Sequence, residues 1–194
     1  MDAAESLARA RHLGNPLLLV VALTALGHAW IGEDPARARV AFEESVALTR
    51  SGASDANYTL ALRQLARLRL RDGDGDGALD AVHTAVTHDH ANGNRPSLVG
   101  SLLTGSELLA ALGQLDDAVV LTSAVVKGEL SGLTGLGAVA ATQEAITAAA
   151  RERLEDSVYQ AATATGSALA YEEVVAYALD AIDTARAELA VTDA

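Results

Sequence analysis

The sequence predicts an all-α protein, a stack of antiparallel helix pairs with a helical cap at its C-terminal end. Three observations carry that expectation. Half of the residues are hydrophobic, most of them Ala, Leu and Val, whereas aromatics make up only 3%. Ala and Leu favour helices, and small Ala side chains let helices approach closely. Prolines occur only at Pro16, Pro35 and Pro96, each preceded by a polar residue, where a first helical turn accepts them. Finally, one pattern recurs: an apolar helix, a polar turn rich in Gly and Asp, and a second helix with small residues at packing positions.

The recurring segments are Ala22–Leu48, Ala61–Val86 and Ser101–Val126. They align on Ala38, Ala78 and Ala118, which are spaced by 40 residues. This is longer than the period of about 34 residues of tetratricopeptide repeats. The segments SGASDAN from Ser51 and HANGNRPS from His90 are turn-rich and are expected to supply the extra length as loops. Within the second helices, Ala38, Phe42 and Val46, then Ala78, Val82, Ala85 and Val86, recur at helical spacing. Ala38, Phe42, Ala78, Val82, Ala118 and Trp30 are the expected repeat-packing residues. Trp30 ends one helix and Phe42 sits in the middle of its partner, so the two are expected to wedge the first pair together.

These signals give a tetratricopeptide-like α-α superhelix over residues 1–130. It comprises a half-repeat at 1–14 and repeats at about 16–50, 57–90 and 97–128. The half-repeat carries an apolar stripe of Leu7, Ala10 and Leu13 that a preceding helix would cover, so the chain reads as the end of a longer stack. Beyond it, residues 131–194 read as a helical extension that packs on the last repeat. A Gly-punctuated connector from Lys127 is expected to lead into helices at about 138–154, 155–165 and 171–189, with Gly166-Ser167 as a break and the final VTDA frayed.

Charge and motifs exclude several functions. The formal net charge is −12, which disfavours nucleic-acid binding by this segment. The apolar run Pro16–Trp30 is short for a membrane span, and acidic Asp2 and Glu5 precede it where a leader would be basic. No membrane contact and a cytoplasmic location are therefore expected. With no Cys, disulfides and thiolate metal sites are ruled out. No G-x-S-x-G or G-x-x-x-x-G-K-[ST] motif occurs, and the glycines from Gly132 to Gly137 read as a loop. No nucleophile with a base is visible, so no catalytic residue and no cofactor are assigned.

One metal pattern stands out. Asp72, Asp74 and Asp76, followed by Gly77, match the first half of a calcium-binding loop, and Asp80 fits a later ligand position. The twelfth position, which needs a bidentate carboxylate, is His83. A helix–turn–helix junction explains the same residues, with Gly opening the turn and Asp capping the next helix. His83, His88 and His90 are not spaced to share a helical face.

Two stretches carry a resemblance. Ser6–Arg50 resembles repeats of large bacterial regulators that join an AAA/STAND-type ATPase to tetratricopeptide-like tracts, often with a LuxR-type DNA-binding or adenylate-cyclase domain. The segment RERLEDSVYQAATATGSALAYEEVVAYAL, from Arg151, is similar to the closing helices of those proteins. Leu154, Tyr159, Gly166, Leu169, Glu172, Glu173, Val175, Ala178 and Leu179 fit, whereas Glu155, Thr163 and Ala170 depart. The resemblance implies a C-terminal sensing or scaffold region without the ATPase, cyclase or DNA-binding parts. The expected function is a non-catalytic interaction or regulatory module. It would bind a protein, a peptide or a small inducer on its concave surface. Self-association into a homo-oligomer and a calcium response through Asp72, Asp74 and Asp76 are the alternatives.

Overall fold

In a computed structural model, which describes residues 3–52, 55, 57–131 and 136–192, the described residues form ten α-helices and no strand. They are α1 (Ala3–Leu13), α2 (Pro16–Trp30), α3 (Pro35–Arg50), α4 (Tyr58–Arg71) and α5 (Gly75–Ala91), then α6 (Arg95–Ala111), α7 (Leu115–Lys127), α8 (Leu136–Arg153), α9 (Asp156–Ala168) and α10 (Tyr171–Thr192). Gly132 to Gly135 of the expected glycine loop lie outside the described residues, as do parts of the SGASDAN turn and the last two residues.

The helix starts follow from local chemistry. Asn15, Asp34 and Asn94 each accept a hydrogen bond from a first-turn N–H, and a proline follows each of them inside the helix. The turns after α4 and α6 are built alike. Gly73 and Gly113 take positive φ, 86° and 98°. The next N–H then reaches back to the helix, Asp74 to the carbonyl of Arg69 and Gln114 to that of Leu109, both at 2.9 Å. Asp74 goes on to cap α5, accepting from Gly77 N–H at 2.9 Å. A residue that closes one helix and opens the next leaves the shortest link between antiparallel partners.

The extra length of the 40-residue period lies elsewhere than expected between the second and third pairs. HANGNRPS is mostly helical: α5 and α6 have 17 residues each and only a three-residue turn separates them. Past Val86 the buried face of α5 is carried on by Asp89, which accepts from Ser101 of α6 at 2.7 Å, and the helix runs on through His90 and Ala91.

The helices pack in two layers. α2, α4, α6 and α8 form the first, and α3, α5 and α7 the second, with each helix against its chain neighbours. In the first layer α4 packs on α6 and α6 on α8. The second-layer helices α5 and α7 are bridged by α10, which packs on α5, α6 and α7. The C-terminal extension therefore reaches beyond the last pair. Its helices α8 and α9 pack on α6 and α7, while α10 returns to α5.

Gly166 does not break α9. The helix runs on to Ala168, and Gly166 lies where a Cβ would collide with the Val120 carbonyl of α7. The glycine serves a close helix crossing, not a turn. At the other end Ala10 is buried against α2, but Leu13, Leu17, Leu18 and Val21 are exposed, at 65%, 47%, 44% and 42%. The apolar face left uncovered thus lies more on α2 than on α1.

Candidate functional site

A trough runs between α6 and α8 on the first layer. Its volume is about 480 Å³. Ala110 and Ala111 of α6 form one wall and Ala141, Ala145, Ile146 and Ala149 of α8 the other. Alanines recurring every four residues on α8 keep that wall low along one helical face. Ile146 is buried and fixes α8 to the core, whereas Ala141 and Ala145 are exposed.

A polar ladder closes one end. Arg67 of α4 donates to Glu107 of α6 at 2.8 Å and to the Thr104 hydroxyl at 3.0 Å. Thr142 of α8 donates to the other Glu107 oxygen at 2.7 Å. Glu107 thereby ties three first-layer helices together at the mouth of the trough. Farther along α4, Arg63 donates to the Ser97 carbonyl at 3.0 Å, with its guanidinium packed over Gly100. Burial holds the Arg63 pKa below its ordinary value, opposed by the nearby Asp89 carboxylate. Asp89 is itself buried, 1% exposed, and accepts from Ser101 at 2.7 Å. An apolar floor with a few fixed polar groups at one end suits a peptide side-chain row or a small apolar ligand.

The aspartates of the DGDGDG turn are not brought together. Asp72 pairs with Arg39, Asp74 caps α5, and Asp76 and Asp80 pair with Arg186 of α10 at 2.8 and 3.5 Å. Arg186, by hydrogen bonding, holds the Asp76 pKa below the usual carboxylate range. Among the described residues no group of three acidic, His or Cys side chains converges as a metal site. The histidines likewise part company. His83 lies 3.8 Å from Asp183, His88 is 3.9 Å from Asp55, and His90 is 3.5 Å from Glu172 and 3.2 Å from the Tyr171 hydroxyl.

Ala38, Phe42, Ala78, Val82 and Ala118 are each 0% exposed. Phe42 fills the space over Gly27, and His28 meets its ring edge-on at 5.3 Å. Trp30 is only partly buried and carries Arg37 over its ring at 5.7 Å, so the wedge of the first pair is Phe42 against Gly27.

No protein-family model, curated protein or solved structure matches the chain. Among the described residues no helix is long and apolar enough to cross a membrane.

The trough itself escaped sequence reading. Ala141, Ala145 and Ala149 signal only a helix until α6 is known to lie beside them. Glu107 offers a weak hint, as the one acid within α6.

Proposed function

We propose that the chain is a non-catalytic, tetratricopeptide-like interaction module whose first-layer trough receives a peptide segment of a partner protein. The observation that carries this reading is the alanine-walled trough closed by the Arg67–Glu107–Thr142 ladder. Small walls admit a partner's side chains, and the ladder holds the walls at fixed separation, so little ordering cost falls on binding. On the resemblance to bacterial ATPase-linked regulators, such a module would belong to the C-terminal region of a larger cytoplasmic signalling protein, and partner binding would control the attached domains.

Affinity capture with the full chain and with Ala145→Trp tests the reading. Ala145 is exposed, so the indole fills the trough without entering the core. A protein held by the unaltered chain and lost with Ala145→Trp is the expected result. Capture that is indifferent to the substitution would contradict it.

The exposed Leu13, Leu17, Leu18 and Val21 favour a second reading, self-association through the N-terminal end of the stack. Light scattering across concentration separates the two, because a strict monomer excludes the second.

A further inference from the structure

Each pair of successive second-layer helices leaves a groove floored by the first-layer helix beneath. Between α5 and α7 that groove is occupied by α10. The helix runs antiparallel to α5, with Glu172 at His90, Asp183 at His83 and Arg186 at Asp80 and Asp76. Ile182 of α10 sits over Gly105 of the floor.

The equivalent groove one repeat earlier, between α3 and α5 over α4, is open, with a volume of about 440 Å³. The 40-residue register relates the two seats position by position. Arg50 stands where His90 meets Glu172, and Glu43 where His83 meets Asp183. Val40, 61% exposed, stands where Asp80 meets Arg186. Leu65 replaces Gly105 in the floor, and Arg69, donating to the Gly77 carbonyl at 2.8 Å, crosses the groove beside it.

We propose that this open groove docks an amphipathic helix of a partner protein, antiparallel to α3 as α10 is to α5. Its chemistry follows from the substitutions. A carboxylate near the helix start faces Arg50. A Lys or Arg three turns later faces Glu43. An apolar residue one turn beyond covers Val40. Over Leu65 the helix carries a small residue, because the floor is higher there than under Ile182. The groove lies on the opposite layer from the α6–α8 trough, so this proposal stands or falls separately from that reading.

The test uses a peptide of the α10 sequence, residues 171–192, bearing Ile182→Ala, Asp183→Lys and Arg186→Leu. It is stapled on its outward face so that helicity does not vary. Calorimetric titration into the full chain is expected to give a Kd on the order of 10–100 μM. A stapled peptide of the unaltered α10 sequence should bind about tenfold more weakly, since Asp183 would face Glu43. Glu43→Lys, at an exposed position, should reverse that order, and Ala47→Trp, which fills the groove, should abolish binding of both. Circular dichroism checks that both variants keep their helicity. Absence of saturable binding by the modified peptide up to about 1 mM overturns the proposal, and so does binding that Glu43→Lys leaves unchanged.

Discussion

Single residues decide how closely the helices meet. A Cβ added at Gly27 would lie 2.6 Å from the Phe42 ring, and Phe42 has no exposed surface into which to retreat. Gly27→Ala is therefore expected to destabilise by about 1–3 kcal/mol, despite alanine's higher helix propensity. Phe42→Ala should cost about 3–5 kcal/mol through the cavity it leaves. Urea unfolding of both variants checks the pair, and a neutral Gly27→Ala would mean that α2 and α3 are not in close contact. Charge at the α7–α10 seam works in the other direction. Burial raises the Asp117 pKa above the ordinary carboxylate value, opposed by the hydrogen bond from Tyr177. A raised folded value means that the native state prefers the proton. Asp117 then costs stability as pH rises from the ordinary carboxylate value through its folded one. Asp117→Asn keeps an acceptor for Tyr177 and should gain several tenths of a kcal/mol at pH 7, a gain that shrinks toward pH 4. Asp76 has the opposite sign. Its lowered pKa gives stability above the ordinary carboxylate value that is lost as pH falls through the folded one, by a small amount because the pair with Arg186 is exposed.

At the scale of elements, local signals were legible and tertiary ones were not. Asn15-Pro16, Asp34-Pro35 and Arg95-Pro96 mark helix starts through effects that act within one turn, and the structure has helices beginning there, the third capped by Asn94, which sequence reading passed over. Gly166-Ser167 misled, because a glycine that permits a turn and one that permits a crossing look the same in sequence. The path of α10 was illegible for a related reason. Ile182 packs over Gly105, two residues far apart in the chain, with room between them for a Cβ but not for a long side chain. Gly105→Leu should therefore expel α10 from its seat while leaving the hairpins folded. Faster hydrogen exchange confined to α10 is the expected signature, and unchanged protection would mean that α10 does not rest on Gly105. The start of α10 is half capped: the Ala170 N–H donates to Glu173 at 2.9 Å, but Ala170 has no side chain to return the bond. Ala170→Ser completes the reciprocal pair and should stabilise by about 0.5–1 kcal/mol, read as a higher thermal midpoint.

For the whole molecule, the repeat register explains both what is filled and what is open. Ala38, Ala78 and Ala118, spaced by 40 residues, are all buried, each in the first turn of α3, α5 and α7. That register could not foretell which surfaces stay free, since this depends on where α10 returns and on how far α8 stands from α6. Glu107 sets that distance by holding Arg67 and Thr142 at once. The resulting trough is the face proposed to bind a partner. Its most direct test is titration of a captured partner into three forms of the full chain: unaltered, Ala145→Trp in the trough, and Ala140→Trp on the far face of α8. Ala145→Trp is expected to weaken binding at least about tenfold and Ala140→Trp to bind like the unaltered chain. Equal affinity of all three forms would contradict it.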